Sequence, residues 1–248
     1  MDTADEDSKH NYVDKFHKCK DNFDSVTSSY DRDDTPKCNY IRSLFSDNSE
    51  FVFTCQKIVK YLKHITSSTY ERNLNENCAY LNYKLNNEIQ NIRKDVEDTS
   101  QIYNDVIKGF KDYFDSEIKK CMKSMKHINR NELMELKKLV VLHENFNKFL
   151  NKEHITGDEH CNYGTKCVNS YLSYIDDCYY DYDRTFCILL EKFKEDYNNE
   201  AEQVINCKEV LRVLPPIKKG SKATSIMVPM FFTALTLISV VFMLYKVK

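Results

Sequence analysis

Ten cysteines carry the most available chemistry in this 248-residue chain: Cys19, Cys38, Cys55, Cys78, Cys121, Cys161, Cys167, Cys178, Cys187 and Cys207. Such a set pairs into disulfides, holds zinc, or packs as reduced buried thiols. Zinc sites draw on CxxC-like pairs, whereas the tightest spacing here is the six residues from Cys161 to Cys167, so no metal site is expected. All ten are disulfide candidates of an oxidised domain, with ten reduced thiols as the competing reading. If Cys167 and Cys178 share a helix, they stand about 16 Å apart. That exceeds a disulfide's span, so each would need a partner on another segment.

The other reactive residue types form no recognisable constellation. His10, His17, His64, His127, His143, His154 and His160 never fall into HExxH or an i,i+4 pair, and His143 on a leucine-rich face reads as a packing residue. Asp176, Asp177, Asp181 and Asp183 lack the ligand order and loop glycine of a calcium hand and read as a solvated acidic turn. Tyr171, Tyr174, Tyr179, Tyr180 and Tyr182 form a tyrosine cluster that reads as core at helical spacing, with an interface anchor as the alternative. The four glycines complete no phosphate-cradling loop or nucleophile elbow. The expectation is a protein that is not an enzyme, with no cofactor and no small-molecule substrate.

Charge narrows the partners. The net −2 conceals a split, because residues 218–248 hold five lysines and no acid while residues 1–217 carry all 38 acidic residues. An acidic body lacks the electrostatic footprint of a nucleic-acid binder, so nucleic acid is not an expected partner.

Only four Gly and four Pro interrupt the chain, which disfavours tight-turned β architectures and favours long helices. Apolar residues at helical spacing mark the elements that must position the cysteines. Residues 1–37 read as a polar N-terminal segment with one short helical stretch at Tyr12, Phe16 and Cys19, and Tyr40–Phe45 as a short helix. The first convincing stripe is Phe51, Cys55, Ile58, Val59, Leu62 and Ile65. Cys78, Leu81, Leu85, Ile89, Ile92 and Val96 form the next, with Asn, Glu and Lys assigned to the opposite, solvated face. A helix from Thr99 or Ser100 presents Ile102, Val106, Phe110, Phe114, Ile118, Cys121 and Met125, and Asn131 opens another through Leu150. Gly157 and Gly164 bracket a loop, Lys166–Asp176 and the run Phe186–Tyr197 are helical, and Val204, Cys207 and Leu211 make a last helical face. Period-2 alternation is nowhere sustained, so the body is expected to be all-α.

From Ile226 to Tyr245 the chain runs 20 residues without a charge. At ~1.5 Å per residue this matches the ~30 Å hydrocarbon core, and the lipid bilayer is the expected partner of this segment. The acidic start has no apolar signal region, so the span is expected to serve as the targeting signal. Residues 215–225, basic and opened by Pro215-Pro216, read as a stalk, and 246–248 as a short tail. Lysines on both sides of the span leave its orientation open.

The stretch Cys78-Ala-Tyr80-Leu81-Asn82-Tyr83-Lys84-Leu85 resembles the Cys-x-Tyr-Leu-Asn-Tyr-Trp-Leu signature of the Vir proteins, variant antigens of the Plasmodium interspersed repeat (PIR) superfamily. Cys55–Ile65, Cys161–Cys178 and Thr185–Asn198 are similar to further stretches of that family, in the family's order. Lys84 stands where the signature has Trp. The resemblance covers about residues 38–248 and implies a helical, disulfide-bearing ectodomain over 38–214, displayed at or exported to the infected red-cell membrane. It also implies antigenic variation, immune evasion and host-cell adhesion, with a host surface receptor or antibodies as partners. The alternative is a tail-anchored intracellular scaffold or membrane-remodelling protein.

Overall fold

The computed structural model describes residues 12–29, 34–43, 49–67, 73–151, 159–204 and 207–218. Eight α-helices run through them: α1 (Phe16–Val26), α2 (Thr35–Ser43), α3 (Glu50–Thr66), α4 (Leu74–Ile92), α5 (Ser100–Cys121), α6 (Arg130–Leu150), α7 (Glu159–Tyr174) and α8 (Thr185–Glu200). Among the described residues there is no strand, so the class is all-α. No helix among them is long and apolar enough to cross a membrane. The expected span 226–245, the tail 246–248 and stalk residues 219–225 lie outside the described residues.

The chain divides into two compact units, 1–167 and 168–248, with the boundary inside α7. In the first unit α4 is the hub and packs against α1, α3, α5 and α6. The stripe Phe51, Cys55, Ile58, Val59, Leu62 and Ile65 of α3 is fully buried, as its spacing predicts. The N-terminal segment is more than polar. A 3₁₀ turn at Val13–Lys15 feeds α1, and Val13, Phe16, Cys19 and Phe23 are all buried.

Helix α6 begins at Arg130 rather than Asn131. Asn129 is the cap, its side chain accepting the Glu132 N–H at 2.9 Å, with Glu132 at the third helical position as in a capping box. α7 begins at Glu159, so Gly164 lies buried inside a helix and does not close a loop. An isolated helical glycine costs only about 1 kcal/mol, which packing readily offsets.

In the second unit α8 buries Phe186, Leu190, Phe193 and Tyr197. The expected helical face at Val204, Cys207 and Leu211 is instead a 3₁₀ turn, Ala201–Gln203, followed by a non-helical strap. α8 side chains satisfy its backbone. Tyr197 Oη donates to the Leu211 carbonyl at 2.6 Å, and the Leu214 N–H donates to Asn198 Oδ1 at 2.7 Å. Pro215 and Pro216 forbid continuing a helix there. The strap reaches into the expected stalk, since Tyr171 Oη donates to the Pro215 carbonyl at 2.7 Å and Ile217 is buried. Pro215 and Ile217 thus belong to the folded unit.

Candidate functional site

The signature residues 78–85 occupy the central helix α4, and each has a structural task. Cys78 bonds Cys121 at the end of α5, tying the two helices together. Leu81 and Leu85 are buried core residues. Tyr80 sits at the centre of an aromatic cluster, with ring centroids 5.5 Å from Phe16, 6.0 Å from Phe23, 6.4 Å from Tyr61 and 6.2 Å from Tyr83. Most of these pairs are edge-to-face, the arrangement the ring quadrupole favours. Burial pushes the Tyr83 hydroxyl up to about 12 and raises those of Tyr80 and Tyr61 as well. Lys84, in place of the signature Trp, lies 5.8 Å from the Phe23 ring centroid and pairs with Glu88 at 2.8 Å. Its charge faces the ring, as a cation does over an aromatic face.

Asn82 does something its residue type did not announce. Asn82, Asn86 and Gln90 stand one turn apart on a buried edge of α4, not on a solvated face. Together they clamp the non-helical segment 126–128. Asn82 Nδ2 donates to the Lys126 carbonyl at 3.0 Å, and its Oδ1 accepts from Tyr103 Oη at 2.6 Å and from the Lys126 N–H at 3.3 Å. The Ile128 N–H donates to Asn86 Oδ1 at 2.9 Å, and Gln90 Nε2 donates to the Ile128 carbonyl at 3.2 Å. The three amides supply a non-helical segment with the partners a neighbouring strand would give it. The i, i+4, i+8 spacing of amides was the available signal.

Eight cysteines are in disulfide linkage. Cys38–Cys55 joins α2 to α3, Cys78–Cys121 joins α4 to α5, and Cys178–Cys187 closes a short loop before α8. Cys161 and Cys207 are disulfide-bonded too, so neither offers a thiolate to a metal. Cys19 and Cys167 correct the expectation that all ten pair, since both are buried free thiols. Burial pushes the Cys19 thiol up to about 12 and raises that of Cys167, keeping both protonated and unreactive. Cys178 does not share α7 with Cys167. It lies in the 3₁₀ turn Ile175–Cys178 and bonds a residue only nine positions away.

The other candidates separate clearly. His143 is buried on α6, and Asp176, Asp177, Asp181 and Asp183 are exposed along the stretch before α8. The tyrosine cluster divides, with Tyr171 fully buried while Tyr179 and Tyr180 are exposed. A polar groove of about 350 Å³ runs between α1 and α6 in the first unit, lined by His17, Lys20, Glu144, Asn147 and Lys148 and flanked by Tyr163. Within it Lys20 pairs with Glu144 at 3.0 Å and Lys148 lies over the Tyr163 ring at 5.0 Å. His17 Nδ1 lies 3.0 Å from the Asp14 carbonyl and 3.1 Å from Asn147 Nδ2. Burial, aided by Lys18 and Lys15, holds its pKa below the ordinary 6.5 against the opposing pull of the Asp14 hydrogen bond and Asp21.

This arrangement defines an all-helical, cystine-braced protein whose signature residues build its frame. The chain belongs to the Plasmodium vivax Vir protein family, whose model matches residues 13–229. The match begins at the 3₁₀ turn before α1, so the buried N-terminal helix belongs to the family region that the sequence resemblance placed only from about residue 38. No curated protein and no solved structure matches the chain significantly.

Proposed function

We propose that this chain is a membrane-anchored variant surface antigen of a malaria parasite, held in the bilayer by residues 226–245 and displayed at or near the infected red-cell membrane. Antigenic variation, immune evasion and adhesion to host cells are the roles this reading assigns it. The observation that carries it is the pairing of Vir family membership with eight oxidised cysteines. Disulfides persist in oxidising surroundings and are rare where glutathione keeps thiols reduced. The frame they brace leaves charged and amide side chains on the outer helix faces, where substitutions away from structural features change stability little.

The test is protease and thiol-label accessibility on intact parasitised red cells, followed by a non-reducing gel. External digestion with no thiol labelled until the protein is denatured, and then only Cys19 and Cys167, supports the reading. Full protection until the cells are permeabilised, with most of the ten cysteines then reactive, would overturn it in favour of an intracellular tail-anchored scaffold.

A further inference from the structure

The nine-residue separation of Cys178 and Cys187 closes a loop with its two Cα atoms 5.6 Å apart. Inside it Tyr180 is 75% exposed, the most exposed large hydrophobic side chain among the described residues, and Tyr179 is 41% exposed. The two rings meet edge-on at 4.8 Å. Ile188, next to the bridge, is 54% exposed. The loop is also tied to the 3₁₀ turn that precedes it, as the Tyr179 N–H donates to the Asp176 carbonyl at 3.3 Å and Arg184 Nη2 donates to the Asp177 carbonyl at 3.3 Å. Asp176 and Asp181 flank the two tyrosines in the chain, and Asp181 is exposed.

Exposing two edge-to-face tyrosines forgoes their burial, and bracing them with a cystine removes the ordering entropy a flexible loop would lose on binding. Tyrosine is the residue type enriched at binding surfaces, because it offers a large contact with few rotatable bonds and one polar tip. The surrounding charge selects the partner. Ring faces attract cations, and exposed carboxylates near them in the chain accept charge-assisted hydrogen bonds from guanidinium or ammonium groups. The same carboxylates repel polyanionic glycans and anionic lipid.

We propose that the loop closed by Cys178 and Cys187 is a docking surface for a protein face that displays arginine or lysine, with Tyr179 and Tyr180 as anchors and Asp176 and Asp181 as steering charges. It deepens the displayed-antigen reading by naming the chemistry of its partner, and depends on that reading only for where the partner is met.

The full chain in detergent micelles, immobilised on a biosensor, is tested against oligoarginine, oligolysine and oligoglutamate peptides of equal length and against phosphatidylserine-containing vesicles. Oligoarginine binds most tightly, oligolysine less so, and oligoglutamate not at all. Y179A/Y180A weakens oligoarginine binding by about 10-fold, while D176N/D181N flattens its salt dependence. Y179F/Y180F keeps the ring faces and restores affinity. Peptide mapping of the Cys178–Cys187 bridge verifies that each variant is folded. Unchanged oligoarginine affinity in Y179A/Y180A, or vesicle or oligoglutamate binding that these substitutions abolish, overturns the proposal. The micelle assay is independent of display, so its failure leaves the antigen reading standing, and protection on intact red cells leaves this proposal standing.

Discussion

Tyr80 and Asn86 show how much of this frame depends on single side chains of α4. Tyr80→Ala removes the ring that joins α1, α3 and α4 and should destabilise the first unit by about 3–5 kcal/mol, read as a lower urea midpoint at unchanged slope. Asn86→Leu keeps the branching and number of heavy atoms but strands the Ile128 N–H, a buried donor whose loss of partner costs about 1–3 kcal/mol. Hydrogen exchange at the Ile128 amide should then accelerate well beyond that of the α3 amides. If that amide stays protected in the variant, the clamp is not what orders the segment. The ladder was hard to read from sequence because Asn and Gln are mostly surface residues, and residue type alone puts them on the solvated face. Leu81 and Leu85 were legible, since apolar side chains at helical spacing line up along one face that water disfavours; Tyr80 lies off that stripe, and only the resemblance to the family signature singled it out. Cys19 and Cys167 were not, because a buried thiol and a half-cystine are the same letter and only distance separates them.

The helices themselves were legible where long apolar stripes ran uninterrupted, as in α3, α5 and α8, and their ends were not. Gly164 passed for a loop residue because intrinsic propensity is a weak prior beside tertiary packing. The strap after Gln203 has helix-like apolar spacing, yet Tyr197 and Asn198 satisfy its backbone from outside. The disulfides act between these elements in proportion to the chain they enclose. The loop-entropy relation gives about 4 kcal/mol for Cys78–Cys121, ~3.2 for Cys38–Cys55 and ~2.7 for Cys178–Cys187, for sequence separations of 43, 17 and 9. Thermal scans of the paired Cys→Ser variants should therefore lose stability in that order. Equal losses would mean that native packing, not chain entropy, sets the contribution.

For the whole molecule, pH is a simple probe of the groove. His17 and His64 both have folded-state pKa values depressed by burial. Below about 6.5 the unfolded chain therefore binds more protons than the folded one, so stability falls as pH drops from 6.5 toward the folded values and is unaffected by these groups above it. In the protonated ring Nδ1 carries a hydrogen that the Asp14 carbonyl at 3.0 Å accepts, and Nδ1 can no longer accept from Asn147 Nδ2. Urea midpoints at pH 7.5 and 5.5 should differ less in His17→Gln than in the parent chain, and an equal difference would assign the acid sensitivity elsewhere. The strap of the second unit has a mechanical consequence. Tension applied beyond residue 218 meets side-chain bonds at Pro215, Leu214 and Leu211 one after another, so the strap peels in sequence instead of shearing at once. Cys207, covalently held, stops that peeling after residues 208–218, a release of roughly 36–40 Å of extended chain. Under load the strap is a short extensible tether with a hard limit, and reduction of the cystine removes the limit.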